Sequence, residues 1–226
     1  MAALPDHVVH VWRIGLAAGP EVVARCHDLL DAAERRRALG FGPVALRRRF
    51  TVSHGAARAI LSGYLGAAPE RLDLRVGRWG KPRLAGSAGV QFNLSHTADV
   101  ALLAVAGQRP VGVDIAHRRA GFPAGAFAAR YFTAAERALV HAGGQAAWLR
   151  LWARKEAWVK AAGVPISAGV TLPVAWSGAG RCVRDRTGRI PGSWRLRDLP
   201  TPAGYAASVA LAGGRPYQVV CREFAP

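Results

Sequence analysis

Apolar positions recur along the chain at two periods, and the switching between them lays out the elements. Residues 7–16, HVVHVWRIGL, alternate in part, as a half-buried strand does. Over residues 20–39, Val22, Val23, Cys26, Leu29, Leu30 and Ala33 fall at helical spacing. Arg35, Arg36 and Arg37 close that helix, where cations oppose the negative end of its dipole. A second helix is predicted over 43–65, with Leu46, Phe50, Ala57, Ile60, Leu61 and Tyr64 on one side and Gly66 as its stop. Strands follow at 71–76, 90–94 and 100–106.

The pattern then restarts. Residues 110–115, PVGVDI, read as a strand, followed by a Gly- and Ala-rich loop. Thr133 and Glu136 have capping-box spacing and open a short helix to Val140. A longer helix is predicted over 145–162, ended by Gly163 and Pro165. The tail carries strands near 170–176, 181–186, 189–198, 205–211 and 216–222, with Thr187-Gly188 and Gly213-Gly214 as hairpin turns. Each half is strand, helices, strands, which predicts an α+β fold of two similar lobes, 1–109 and 110–226.

At 226 residues the chain buries a sizeable core without a metal or disulfide staple, and 51% apolar with 20% charged residues exclude a disordered chain. Three separated cysteines, Cys26, Cys182 and Cys221, without C-x-x-C spacing, argue for a reducing compartment. The longest uncharged stretch, 161–180, is interrupted by Pro165, Pro173 and several glycines, so no membrane span is expected. Residues 1–20 lack the basic and apolar regions of a signal peptide, so a cytoplasmic protein is expected.

A net charge of +17 favours polyanionic partners, yet no helix-turn-helix, RNA-binding motif or zinc finger accompanies it. Only three of the 31 basic residues are lysines, Lys81, Lys155 and Lys160. A lysine surviving in so Arg-rich a chain suggests a place that needs a compact ammonium. Lys155 and Lys160 flank Glu156 on the helix WLRLWARKEAWVK, and Asp114 interrupts an otherwise apolar strand where a lone carboxylate is costly. Two carboxylates near a lysine suit Mg²⁺ handling a diphosphate, since Mg²⁺ takes one or two protein carboxylates plus phosphate oxygens.

Four ordered segments make the pattern specific: Gly80-Lys81-Pro82; Phe92-Asn93-Leu94-Ser95-His96; Gly112-Val113-Asp114-Ile115; and Trp152 through Lys160. Tyr131-Phe132-Thr133 through Glu136 also fits. Over roughly residues 30–165 the chain resembles the 4′-phosphopantetheinyl transferases of the surfactin type. The resemblance implies a monomeric pseudo-dimer of two α/β lobes with coenzyme A in the cleft between them. It implies transfer of the phosphopantetheine arm to a serine of an apo acyl- or peptidyl-carrier protein, with release of adenosine 3′,5′-bisphosphate. Acidic carrier domains, rather than nucleic acid or membrane, would then be the partners of the basic surface.

Carried over by position, Asp114 and Glu156 would be Mg²⁺ ligands, with Mn²⁺ the alternative ion, and Glu156 would take the serine proton. Lys160 would hold the diphosphate and steady the leaving group. His96 and Arg37 would contact the 3′-phosphate, with Ser95 beside the nucleotide and Arg49 a further phosphate contact. Lys81 and Pro82 would line the adenine end, and Lys155 would support the site from behind. Many relatives carry a third carboxylate where this chain has Ala116; water would replace that ligand and metal binding would weaken. Glu136 is read first as the helix cap, the tryptophans mostly as core or inter-lobe packing, and the loop 118–135 either as a carrier-docking surface or as an ordinary connection between the lobes. Two other readings stand beside the transferase: a coenzyme A-binding protein of this fold that has lost turnover, and a basic nucleic-acid-binding protein.

Overall fold

The computed structural model describes residues 4–86, 89–178 and 180–225; residues 1–3 of the stretch searched for a signal peptide lie outside them. Strand β1 (Val8–Gly15) is followed by helices α1 (Pro20–Asp28), α2 (Ala32–Leu39) and α3 (Val44–Leu65). A small hairpin of β2 (Leu74–Val76) and β3 (Pro82–Leu84) leads to β4 (Gln91–Thr97) and β5 (Val100–Ala106). Then come β6 (Val111–His117), α4 (Ala124–Tyr131), α5 (Ala134–Ala162), β7 (Gly180–Arg184), β8 (Ser193–Leu199), β9 (Tyr205–Ala212) and β10 (Gln218–Glu223).

Two four-stranded sheets, ordered β10-β1-β5-β4 and β6-β9-β8-β7, form the centre of this mixed α+β molecule. Strand alternation assigns each face. Ala101, Leu103 and Val105 of β5 join Val52, Ala56 and Ile60 of α3 in one core. The intervening residues Leu102, Ala104 and Ala106 meet Val111, Val113, Ile115 and Val209 of the other sheet. Helix α5 covers the second sheet's outer face through Ala157, Trp158 and Ala161. Its approach to β6 is close enough that a Cβ on Gly112 would sit 2.3 Å from the Ala157 carbonyl oxygen. The order across the molecule is therefore α3, first sheet, second sheet, α5. Residues 112, 114 and 116 of β6 alternate with the inter-sheet positions and face α5.

Several expected elements differ. The predicted helix over 20–39 is two helices, because Asp31 caps the Glu34 amide and Glu34 returns a bond to the Asp31 amide. The segment 118–135 is not all loop, since it contains α4. The two helices expected on either side of residue 144 are both present, and α5 spans them across a kink at Gly144, whose φ of 57° only glycine adopts cheaply. Residues 170–176 form no strand, because the Leu172 carbonyl accepts from Lys155 and the Val174 amide donates to Glu136. Gly213-Gly214 is not a hairpin turn: the last strand leaves β9 and pairs parallel with β1, Val8 opposite Gln218, giving β1 a second neighbour. No helix among the described residues is long and apolar enough to cross a membrane.

Candidate active site

A cleft of about 560 Å³ opens where the ends of β4 and β6 meet α5. Helical spacing places Gln145, Trp148, Trp152, Glu156 and Lys160 in one stripe along it. Strand β6 contributes Asp114 and Ala116 from its α5-facing side, and β4 contributes Ser95 and His96. The fold therefore gathers residues more than 60 positions apart in sequence, and every group expected at the reacting centre lines this cleft.

Asp114 is 5% exposed, and its Oδ1 accepts from Lys160 Nζ at 2.6 Å and from Ser95 Oγ at 2.8 Å. The ion pair compensates a carboxylate that burial alone would make expensive. Glu156 takes no hydrogen bond among the described residues. Burial pushes its carboxyl above the usual range, the Asp114 charge adds to the rise, and Lys160 opposes it. Such a group holds a proton more readily than a free glutamate and waits for a cation or a proton donor.

Among the described residues no three His, Cys, Asp or Glu side chains converge as ligands. The oxygen pair of Asp114 and Glu156 beside an open cleft still fits a hard cation that completes its shell with water and phosphate oxygens. Ala116 lines the same cleft with no donor atom.

His96 is exposed at the cleft edge, and desolvation together with the neighbouring His54, Lys160 and Arg49 lowers its pKa. His54, a histidine without metal-ligand spacing in the sequence, stands on α3, where its Nδ1 lies 2.9 Å from Glu34 and its ring stacks on Phe50. Arg37 lies over the same Phe50 ring at 5.3 Å and Arg49 pairs with Asp99 at 3.1 Å. Both are on the α2–α3 side of His96 and neither lines the cleft itself.

Lys81 and Pro82 border a second cleft of about 480 Å³ with Arg75 and Arg83. The Lys81 ammonium donates to the carbonyls of Val111 and Ala161 at 2.9 and 3.1 Å, and burial lowers its pKa to about 8. Lys155 lies off the cleft-lining stripe of α5. It is fully buried, bonded to Glu136 at 3.0 Å and to the Leu172 carbonyl, and closed off from both clefts. Desolvation lowers its pKa, and Glu136 opposes that shift. Glu136 is the predicted cap of α5 and also the buried counter-ion of Lys155.

An aromatic wall lines the cleft with side chains that also belong to the packed core. Trp148 and Trp152, read as packing, stack at 5.3 Å, with Phe127 edge-on to both and Phe122 against Trp148. Trp148, Trp152 and Glu156 follow one another at four-residue spacing, which puts them on one face of α5. Trp148 is 8% exposed, and its indole N–H has no hydrogen-bond partner among the described residues.

Residues 110–210 match the sequence profile of the 4′-phosphopantetheinyl transferase superfamily. The 4′-phosphopantetheinyl transferase HetI of Nostoc sp. is 32% identical over 212 residues, covering 91% of this chain and 88% of that protein. The 4′-phosphopantetheinyl transferase AcpT of Salmonella typhimurium is 35% identical over 130 residues, 54% of this chain and 66% of that protein. With likeness running through nearly the whole of both chains, and with β6 and α5 inside the matched region, this chain belongs to the 4′-phosphopantetheinyl transferase superfamily and is a transferase enzyme.

Proposed function

We propose that the chain is a surfactin-type 4′-phosphopantetheinyl transferase that moves the phosphopantetheine arm of coenzyme A to a serine of an apo acyl- or peptidyl-carrier protein. The reading rests on one observation: Asp114, Glu156 and Lys160 line a single cleft, with the Lys160 ammonium already against the Asp114 carboxylate. The chain is read as two pseudo-symmetric lobes, 1–109 and 110–226, acting as a monomer in the cytoplasm.

The serine oxygen attacks the β-phosphorus of coenzyme A. The bond from that phosphorus to the bridging oxygen breaks, and adenosine 3′,5′-bisphosphate leaves with the bridging oxygen. Glu156 accepts the serine proton, a role its raised affinity for protons suits. Lys160 faces the leaving oxygen and stabilises the charge that gathers there. Mg²⁺, or Mn²⁺ in its place, would be held by Asp114 and Glu156 and would neutralise diphosphate charge. His96 and Arg37 bind the 3′-phosphate with Arg49 nearby, while Ser95, its hydroxyl engaged by Asp114 and Lys160, stands behind those groups rather than against the nucleotide. Lys81 and Pro82 border the adenine through stem and ring, because the Lys81 ammonium is bonded to two carbonyls. Lys155 contacts no substrate, since its ammonium is enclosed. The basic surface attracts both polyanionic coenzyme A and acidic carrier domains.

The test is mass spectrometry of purified apo carrier proteins of the fatty-acid, polyketide and peptide-synthetase classes, incubated with enzyme, coenzyme A and Mg²⁺. Gain of one phosphopantetheine on the carrier serine is expected, lost in Asp114→Ala. Coenzyme A binding without any transfer would refute it.

A further inference from the structure

The two sheets meet along strands that share no backbone ladder. Strand β4 is the edge of the first sheet and β6 the edge of the second. In β6 the residues alternate between bonding β9 and pointing backbone groups outward, so every second residue has an N–H and a C=O with no strand to receive them. An amide left unpaired in so buried a strand is costly.

Side chains from the first half of the molecule meet these groups at successive outward positions. Lys81 Nζ donates to the Val111 carbonyl at 2.9 Å. Asn93 Oδ1 accepts from the Val113 amide at 2.9 Å, and Ser95 Oγ accepts from the Ile115 amide at 3.4 Å. Asn93 and Ser95 share the face of β4 turned toward the second sheet, and are 3% and 5% exposed. The periods coincide: residues 111, 113 and 115 of β6 recur every second position, as do 93 and 95 of β4.

The Ser95 hydroxyl is used to its full capacity. It donates to Asp114 Oδ1 at 2.8 Å and accepts from both Ile115 N–H and Lys160 Nζ, the last at 3.0 Å. One donor and two lone pairs are all a serine oxygen has. The same atom therefore fixes the strand that carries Asp114, the rotamer of Asp114 and the position of Lys160.

We propose that Asn93 and Ser95 are positioning residues: the side chains of β4 replace the missing backbone ladder along β6 and thereby hold Asp114 and Lys160 in register across the sheet junction. This rests on the proposed transfer reaction for its kinetic consequence, but not for its structural one. Among the described residues Asn93 makes no hydrogen bond to Asp114, Glu156 or Lys160, and it acts through the Val113 amide.

The experiment pairs Asn93→Ala, Ser95→Ala and Ser95→Thr with the wild-type enzyme, read by amide hydrogen exchange and by steady-state transfer to an apo carrier protein. Loss of protection at the Val113 amide is expected in Asn93→Ala and at the Ile115 amide in Ser95→Ala, by about tenfold or more. The kcat should fall about tenfold to a hundredfold, the scale of a misplaced reacting group, with the KM for coenzyme A unchanged. Ser95→Thr, which keeps the hydroxyl, should retain Ile115 protection and most of kcat. Unchanged protection at both amides would overturn the ladder. A rise in the coenzyme A KM alone in Ser95→Ala would make Ser95 a nucleotide contact and overturn its positioning role. Should Asn93→Ala not fold, the Ser95 pair, which differ by a single oxygen and a methyl, decides the matter. Absence of transfer by the wild type would refute the proposed reaction, while amide exchange would still decide the ladder.

Discussion

Ala116 shows how much one side chain changes in this site. It shares the α5-facing side of β6 with Asp114 and borders the same cleft, two residues along. A carboxylate there would join Asp114 and Glu156 as a third oxygen donor, whereas a methyl leaves that sector of a bound cation to water. Ala116→Glu is expected to lower the Mg²⁺ concentration for half-maximal transfer by about tenfold, since affinity for hard cations follows the charge and number of their ligands. Magnesium titration of the two enzymes checks this, and identical curves would refute the open position.

At the scale of an element, α5 does most of the assembling. Its cleft-facing stripe carries Glu156 and Lys160, and its opposite side carries the buried pair of Lys155 and Glu136. Glu136 receives the Thr133 and Val174 amides as well as Lys155, so one carboxylate joins the helix start, the helix middle and the segment after it. This arrangement makes Lys155 a strut rather than a ligand. Removing one partner of a buried pair strands the other charge, at a cost of about 3–5 kcal/mol. Lys155→Met should therefore lower the urea unfolding free energy by about that amount, while Lys155→Met with Glu136→Gln should be less damaging than the single change. Equal stability of Lys155→Met and wild type would show that the pair is dispensable.

The whole molecule is closed by groups that bridge its two sheets, and Lys81 makes that closure depend on pH. Its ammonium joins the entrance of β6 to the end of α5, where burial lowers its pKa to about 8 from the ordinary 10.5. Below pH 8 the group is charged in both states and the fold carries the full penalty. Between 8 and 10.5 the unfolded chain binds the proton that the folded chain has released, so this contribution to stability rises with pH. The unfolding free energy of wild type relative to Lys81→Met should therefore grow across that window, by at most about 1.4 kcal/mol per pH unit. A difference that is flat or falls between pH 8 and 10 would contradict the burial of this ammonium.

Local pattern was enough to read the elements whose signals are local. Strand β5 falls on residues 100–106 as its apolar run predicts, and the Thr133–Glu136 box opens α5 where the spacing placed it. The ordered motifs also pointed to Asp114, Glu156 and Lys160: a carboxylate in an apolar strand and a glutamate flanked by two of only three lysines stand out without coordinates. Tertiary structure alone decided which surfaces meet: β10 beside β1, the indoles of Trp148 and Trp152 facing the cleft, Lys155 enclosed, and Asn93 on the Val113 amide. Periodicity records which face of an element is apolar, but not which distant segment covers it. A backbone group at a sheet edge finds its partner only once the chain has closed around it.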